Sequence, residues 1–410
     1  MSQKPVGIVG GGLAGLACAR VLHEHNIPFL LFEASDTLGG RVKSEHVDGN
    51  ILDVGFQIFL TSYRQTLDLM NVSSLQLKAY DAGAIVRARD RFHDLSDPFR
   101  HPSKIFSTLT SSVGNLGDKF LVLKQRMEMQ ETSPHEFFSR PEETTFDHLQ
   151  KKGFSSAFIE EFYRPFFRSI FLEENLFTSS RYFQWLLQKF STGLACVPRK
   201  GMAQIPREIA KPLPTSSIRL KTEVKAVSPD EIVLKSGEKI SVQKVVVATD
   251  QDAARKLVPV LPAPEEWNGT QCLYFESDVR PSWEKKIFLN AEYVRSFDVL
   301  TIPTNLHPEQ SNQGSSIICV SRIFDGHEFN PDHVLDELHS WFGAEVKMWR
   351  PLQSYTVPKA LPYVSTFHKK PLEIQKGIFL CGDHMSHSSI EGAVESGLEV
   401  GQQIASSLKS

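Results

Sequence analysis

Residues 6–15 read Val-Gly-Ile-Val-Gly-Gly-Gly-Leu-Ala-Gly, and no other stretch carries as strong a structural signal. Val6–Val9 is a short apolar run typical of a buried parallel strand, and residues 16–22 follow with the apolar spacing of a helix. Residues 29–32, Phe-Leu-Leu-Phe, predict a second strand, and Glu33 stands at its carboxyl end. This order predicts an α/β fold with a doubly wound parallel sheet.

The glycine spacing indicates a dinucleotide site. Gly10 allows a tight turn, Gly12 allows the backbone to approach a pyrophosphate, and Gly15 allows the helix to pack on the strand. The helix N-terminus offers amide donors and a partial positive charge to the pyrophosphate. Glu33, about twenty residues downstream, is placed to accept hydrogen bonds from both ribose hydroxyls. A glycine-rich turn without a ligand is the alternative, but the strands, the helix and the acid all fall in register.

A second glycine pair, Gly39-Gly40, follows the acid and leads into Arg41. These residues would have no use in a nicotinamide site. The stretch from Gly10 to Arg41 resembles the flavin-containing amine oxidase superfamily, which includes monoamine oxidases, protoporphyrinogen oxidases and phytoene desaturase-like proteins. The resemblance implies bound FAD, with the chain at Gly40 passing beside the pyrophosphate and Arg41 neutralising it. A surface turn at Gly39-Gly40 is the alternative.

A second motif of the same family stands near the other end of the chain. Residues 377–383, Gly-Ile-Phe-Leu-Cys-Gly-Asp, predict a strand that ends in Gly-Asp, and a helix is predicted from about residue 390. The resemblance implies that Asp383 binds a ribityl hydroxyl and that the helix N-terminus at Ile390 faces the pyrimidine edge of the flavin. A helix dipole favours a reduced, anionic flavin, which supports this interpretation independently.

Two weaker patches point to the same cofactor. Asp53-Val54-Gly55-Phe56-Gln57 resembles an Asp-x-Gly segment that lies near the flavin ring in the family, and a tight structural loop is the alternative. Residues 224–247 predict a β-meander, and the resemblance implies that the backbone of Val224 holds the adenine. The predicted cofactor-binding residues are therefore Gly10, Gly12, Leu13, Ala14, Gly15, Glu33, Ala34, Gly40, Arg41, Gly55, Phe56, Gln57, Val224, Asp383 and Ile390.

The positions of these motifs predict a discontinuous FAD-binding domain. It takes residues 1–80, 195–255 and 350–410, which leaves 81–194 and 256–349 for a mixed-sheet and helical substrate domain with a helical cap at about 102–192. Within the cap, Phe158, Phe162, Phe166 and Ile170 recur every four residues and predict one aromatic helix face. A phenylalanine-rich core explains this stripe, and the alternative is a wall of an apolar cavity above the flavin.

Departures from the amine oxidase pattern bear on the substrate. Ser389 stands where monoamine oxidases have one aromatic residue of their amine cage. Many amine oxidases also place a lysine near flavin N5 on a strand of the substrate sheet, and the strand that we match to it, Cys272–Phe275, has none. The C-terminal motif looks closer to the phytoene desaturase-like branch. We therefore expect a small-molecule, largely apolar substrate and not a primary amine, with catalytic residues that the sequence does not identify.

Composition excludes several classes of protein. The chain has 410 residues, 41% hydrophobic and 23% charged, with a net charge of −3 and no long basic block, so a nucleic-acid partner is not expected. Five scattered cysteines without a C-x-x-C favour a reducing, cytoplasmic compartment over a disulfide or zinc framework. Apolar runs are too short for a signal peptide or a membrane span, although peripheral membrane contact stays open.

These observations predict an FAD-dependent oxidoreductase that transfers hydride from a substrate C–H to flavin N5, as a desaturase or dehydrogenase does. A flavin amine oxidase that produces hydrogen peroxide is one alternative, and a non-catalytic FAD-binding scaffold is another. An FAD disulfide reductase would need a second G-x-G-x-x-G and a redox cysteine pair, and the sequence has neither.

Overall fold

A computed structural model describes residues 3–96, 112–262, 266–368 and 370–409. The strands are β1 (Val6–Val9), β2 (Phe29–Phe32), β3 (Ser44–Val47), β4 (Asn50–Asp53), β5 (Phe59–Leu60), β6 (Lys78–Ala79), β7 (Gly83–Ala88), β8 (Arg91–Ser96), β9 (Ala195–Val197), β10 (Ile218–Arg219), β11 (Val224–Ser228), β12 (Glu231–Leu234), β13 (Lys239–Ser241), β14 (Lys244–Val247), β15 (Trp267–Ser277), β16 (Ile287–Asn290), β17 (Val299–Thr301), β18 (Ser316–Ile323), β19 (Arg350–Pro362), β20 (Glu373–Gln375) and β21 (Ile378–Leu380).

The helices lie between these strands in the chain, some of them in succession. They are α1 (Leu13–Glu24), α2 (Arg64–Asp68), α3 (Val72–Leu75), α4 (Leu116–Glu131), α5 (Thr145–Lys151), α6 (Ser156–Phe158), α7 (Arg164–Phe171), α8 (Ser180–Thr192), α9 (Gln204–Ala210), α10 (Gln251–Leu257), α11 (Pro331–Phe342) and α12 (Ile390–Lys409), with a π-helical turn at Ile159–Tyr163 between α6 and α7. Within the described ranges no helix combines the length and apolar character needed to span a bilayer.

A six-stranded sheet in the order β10-β2-β1-β14-β21-β20 carries the N-terminal glycine motif. Its strands are parallel except the edge strand β20, which pairs antiparallel with β21. Alternate side chains of a strand face opposite sides of the sheet. Ile8 and Val246 belong to one buried cluster with α1 and α12, whereas Val245 and Val247 belong to another with Ile232 of the β11–β13 meander. The α/β prediction is confirmed. The meander consists of β11, β12 and β13, whereas β14, which the sequence placed in it, pairs parallel with β1 because its alternate side chains are buried on both faces of the central sheet.

The second large sheet is mixed and has seven strands, in the order β19-β15-β18-β17-β16-β7-β8. Side chains of β15 alternate between its faces: Leu273 and Phe275 are buried in one cluster with α11, and Cys272 and Tyr274 are buried in another with Leu52 of β4. The second face therefore meets the hairpin of β3 and β4, which leads directly into Gly55. This contact brings the mixed sheet against the predicted flavin segment.

The predicted domain boundaries stay a prediction. The structure adds that β19 pairs along β15 in the seven-stranded sheet, although the sequence assigns residues 350–410 to the FAD-binding domain. The predicted cap at 102–192 contains α4 to α8, and its first part, residues 102–111, lies outside the described residues.

The aromatic stripe of the cap packs into the core. The Phe158 and Phe162 rings stack at 5.3 Å, those of Phe162 and Phe166 stack at 5.9 Å, and Phe166 meets Phe190 of α8 edge-on at 5.4 Å. These contacts favour the core interpretation of the stripe.

Candidate active site

Three glycines of the first motif have three different surroundings. Gly10 has a φ of +111°, and a Cβ there would meet Ala248 O at 2.6 Å. A Cβ on Gly15 would meet Gly10 O at 2.1 Å, so α1 packs on the turn only because this residue is glycine. A Cβ on Gly12, the residue before α1, would meet no atom within 4 Å. The turn and packing roles are thus visible, and the open space at Gly12 fits a bound pyrophosphate.

Glu33 holds the glycine turn through its carboxylate. Its Oε2 accepts the Gly11 N–H at 2.7 Å and its Oε1 accepts the Ser35 N–H at 2.8 Å. Each carboxylate oxygen retains a further acceptor site, so these bonds leave room for the ribose hydroxyls that the sequence predicts. Thr222 N–H donates to Glu33 O at 2.8 Å, which brings the segment before Val224 beside Glu33 and the exposed Ala34.

The second glycine pair lies against the first. Gly39 N–H donates to Gly11 O at 2.9 Å, and a Cβ on Gly40 would lie 3.4 Å from Gly12 Cα. Gly40 has a φ of +59°, which L side chains adopt rarely. The chain therefore passes the predicted pyrophosphate position at close range before it reaches Arg41.

Arg41 pairs with Asp383 across the site. Its Nη2 lies 2.6 Å from Asp383 Oδ1, and its Nη1 donates to Ala360 O at 2.8 Å. Burial alone would raise the pKa of the Asp383 carboxyl, but the Arg41 guanidinium holds that pKa well below its usual range. Asp383 is therefore a carboxylate at neutral pH, as an acceptor for a ribityl hydroxyl must be.

The second motif closes onto α1 through small residues. A Cβ on Gly397 of α12 would meet Ala14 O at 2.1 Å, so the two helices touch backbone to backbone, and Leu13 is buried at the start of α1. Ser396 Oγ accepts the Gly382 N–H at 2.9 Å, which fixes the turn before Asp383 to α12. The N-terminus of α12 at Ile390 is thereby held beside the first motif.

Two histidines of this motif have different surroundings. His384 Nε2 is buried and takes no hydrogen bond from a described residue, which leaves it available to a ligand. His387 is buried against Trp185, with ring centroids 3.9 Å apart, and its Nδ1 lies 2.9 Å from Ser389 Oγ. His387 is thus a packed core residue, which only the tertiary structure reveals.

Gly55, Phe56 and Gln57 lie between the two sheets. Gly55 has a φ of +92°, and a Cβ there would meet only Thr270 Cγ2, at 3.8 Å. Gln57 Nε2 donates to Arg41 O at 2.9 Å. Gln57 therefore connects the Gly55–Gln57 segment to the Arg41–Asp383 pair. The space beside Gly55 suits a flat ring.

A small cavity lies beside this patch, with room for about one water molecule (≈ 10 Å³), and we name it the Asp53 cavity. Its polar wall includes Asp53, Gln57, Tyr80, Tyr274, Thr301 and Gln310. Its apolar wall includes Phe56, Val197 and Pro303, so the Phe158–Ile170 stripe is not part of it. The sequence did not predict Tyr80, Thr301 or Gln310 as site residues, since they come from three distant segments. Alternation along β15 was the available signal for Tyr274.

The comparisons with known proteins agree with this geometry. Residues 13–405 match the family model described as flavin containing amine oxidoreductase. The chain is 31% identical over 124 residues to coproporphyrinogen III oxidase of Mycobacterium leprae (29% of this chain, 27% of that protein). It is 47% identical over 51 residues to amine oxidase [flavin-containing] A of Canis lupus familiaris (12% of this chain, 9% of that protein). The chain thus spans a small part of these relatives' length.

Solved structures show the same fold over nearly the whole chain. An oxidoreductase from Methanosarcina mazei superposes with a TM-score of 0.77 at 14% identity, covering 97% of this chain and 100% of that one. Cyclohexylamine oxidase from Brevibacterium oxydans superposes with a TM-score of 0.72 at 16% identity, covering 100% of both chains. The chain therefore belongs to the flavin-containing amine oxidoreductase family, which confirms FAD as the cofactor and FAD-dependent oxidoreductase as the enzyme class.

Proposed function

We propose that this protein dehydrogenates a largely apolar small molecule by removing hydride from a C–H bond next to a C–C or C–N bond. Bound FAD would supply the hydride acceptor at flavin N5. The observation that carries the proposal is the Asp53 cavity. It adjoins Gly55–Gln57 on one side, and Gln57 in turn contacts Arg41 of the predicted cofactor site.

The chain's own residues would position the substrate and exclude water. Phe56, Val197 and Pro303 would contact the reacting end of a substrate, because the Asp53 cavity has room for only about one water molecule.

Two side chains argue against a simple primary amine. Ser389, in the predicted cage position, accepts the Gly392 N–H at 3.0 Å and contacts His387, so it serves the start of α12. Tyr355, which could form the other half of a cage, is buried edge-on to Tyr274 and donates to Glu45 at 3.1 Å. Neither side chain therefore contributes to a pair of facing rings that could hold an ammonium group.

An amine oxidase that produces hydrogen peroxide is the second candidate, and Asp53 favours it. A carboxyl group in the cavity would accept a hydrogen bond from an ammonium or secondary amine. The two candidates differ in substrate and in the fate of the electrons, which experiment separates.

The test is anaerobic mixing of the FAD-loaded protein with a panel of compounds while flavin absorbance is followed. The panel contains benzylamine, tyramine, a polyamine, a polyene and a porphyrinogen. We expect bleaching by one of the larger apolar compounds and little by the primary amines. Rapid bleaching by a primary amine, at rates on the order of 1 s⁻¹ or above and with peroxide formed in air, would favour the amine oxidase. Failure of every compound would favour a scaffold.

A further inference from the structure

Asp53 ends β4 and places a carboxyl group in the wall of the Asp53 cavity. It stands two residues before Gly55, in the patch that the resemblance places near the flavin ring. From the sequence alone it is identified only as the first residue of an Asp-x-Gly segment.

The two carboxyl oxygens of Asp53 have different environments. Oδ1 accepts a hydrogen bond from Ser44 Oγ at 2.5 Å and another from the Met202 N–H at 2.9 Å. A Cβ on Gly201 would lie 2.9 Å from the same oxygen, so the turn before α9 wraps closely around it. Oδ2 takes no hydrogen bond from any residue that the structure describes. The scaffold thus orients the group through one oxygen and leaves the other for a ligand.

No cation neutralises this carboxyl group among the described residues. The ionisable groups that face it are Tyr80, Tyr274, Cys319 and Tyr355. Burial raises the pKa of each of these four groups, so they remain uncharged at neutral pH. Of Asp53 and these four neighbours, Asp53 is therefore the group that changes charge near neutral pH.

Burial also acts on Asp53 itself. It raises the pKa of the carboxyl group from 3.8 to about 6, against the opposing effect of the hydrogen bonds from Ser44 and Met202. A group with a pKa near the working pH both takes up and releases a proton readily, as general acid–base catalysis requires.

We propose that Asp53 accepts the proton that the substrate loses when it gives up hydride, an inference that rests on the proposed function. A substrate H–C–X–H, where X is carbon or nitrogen, loses hydride from carbon to the flavin and a proton from X to Asp53 Oδ2. The electron pair of the X–H bond becomes the second bond of C=X. The substrate is oxidised by two electrons, the flavin is reduced by two, and Asp53 ends protonated.

The test combines a pH profile with a spectroscopic titration, using D53N, S44A and D48N. The asparagine in D53N keeps an oxygen that can accept from Ser44 and Met202, and the FAD content and melting temperature report whether the variant folds. D48N is the matched control, since Asp48 is an exposed residue at the turn between β3 and β4. Flavin reduction is followed anaerobically with the compound that bleaches the wild type fastest.

We expect the wild-type rate of reduction to fall with a midpoint at about pH 6 as the pH is lowered. In S44A the midpoint moves to higher pH, because the Ser44 hydrogen bond favours the ionised carboxylate. In D53N the rate of reduction no longer falls with a midpoint at about pH 6. The rate is also lower than in the wild type by at least roughly 10²-fold, the usual size of a general-base contribution. D48N keeps the wild-type profile.

Infrared difference spectroscopy supplies a readout that needs no turnover. A protonated-carboxyl band should titrate with a midpoint at about 6 in the wild type and D48N, with and without FAD, and should be missing in D53N. Reduction of D53N with an unchanged rate and pH profile would overturn the proposal and leave the proposed function standing. Failure of every compound to reduce the wild type would overturn both, even if the band titrates as expected.

Discussion

Arg41 Nη2 lies 2.6 Å from Asp383 Oδ1, although the two residues stand 342 positions apart in the chain. The same guanidinium donates to Ala360 O and lies over the Trp267 ring at 5.6 Å. Arg41 therefore ties the first motif to the second and both of them to the mixed sheet. This single side chain connects the parts from which the predicted cofactor site is built.

Replacing Arg41 with alanine should destabilise the apoprotein. Asp383 is almost completely buried, and its carboxylate would lose its cation. Removing one partner of a buried ion pair costs about 3–5 kcal/mol. Because Arg41 is partly exposed, we expect R41A to lower the free energy of unfolding by about 2–3 kcal/mol. Because the pKa of Asp383 is depressed in the folded protein, its contribution is present at neutral pH and is lost as pH falls through that pKa. Urea denaturation at neutral and acid pH measures both effects.

Arg350 provides the control for this experiment. It forms exposed ion pairs with Glu276 and Asp278, so R350A should lower the free energy of unfolding by much less than R41A does. Equal, small losses in R41A and R350A would show that the Arg41–Asp383 pair contributes no more than a surface pair does.

G12A and G15A should separate folding from cofactor binding. A Cβ on Gly12 meets no protein atom, so G12A apoprotein should unfold in urea as the wild type does. Its FAD affinity should fall at least roughly tenfold, since the methyl group enters the predicted pyrophosphate position. In G15A the methyl group meets Gly10 O, so the apoprotein itself should lose about 1–3 kcal/mol. Wild-type FAD affinity in G12A would contradict the placement of the cofactor at Gly12.

Glu33 should be required for tight FAD binding. Each charge-assisted hydrogen bond from a ribose hydroxyl is worth ~1.5–3 kcal/mol, so E33A should bind FAD at least about tenfold more weakly in a fluorescence titration of apoprotein. E223A removes a similar charge nearby, from an exposed pair with Lys235, and should bind as the wild type does. Equal affinity in E33A and the wild type would mean that Glu33 serves only the glycine turn.

Acid should release the flavin intact. Cys381 lies two residues before Asp383, but burial raises the pKa of its thiol well above the ordinary value, so it stays protonated and unreactive. After precipitation with trichloroacetic acid, the yellow colour should be in the supernatant. Colour retained in the pellet would indicate a covalent bond to the protein.

D53N should stabilise the protein at high pH only. Since burial raises the pKa of Asp53 above its ordinary value, the folded protein holds more protons between about pH 4 and pH 6, and stability falls as pH rises through that window. Above about pH 7 the ionised group costs on the order of 1–3 kcal/mol, which D53N removes. Urea denaturation of wild type and D53N at about pH 4 and pH 8 should show a difference only at the higher pH. A difference of the same size at both values would point to packing instead of charge.

Short-range sequence patterns predicted the first motif. They could not predict the cavity, because its residues are far apart in the chain. The strand, turn and helix around Gly10–Gly15 follow from short-range spacing, and Glu33 follows from its distance to the turn. Tyr80, Thr301 and Gln310 meet only because the mixed sheet folds against the β3–β4 hairpin, and no spacing in the sequence records that contact. The placement of β19 depends likewise on long-range pairing with β15. The burial of His387 depends on Trp185 of the cap.

The contact of Gly397 with Ala14 also bears on how the protein is made. A ribosome produces Ile378–Lys409 after every other described element, yet β21 pairs with β14 and α12 covers α1. Until that segment emerges, the face of α1 that packs on α12 is exposed and the predicted cofactor site lacks Asp383. Contacts of such long sequence separation form slowly. We therefore expect nascent chains to bind no flavin and to depend on chaperones, with FAD uptake as the last event of folding.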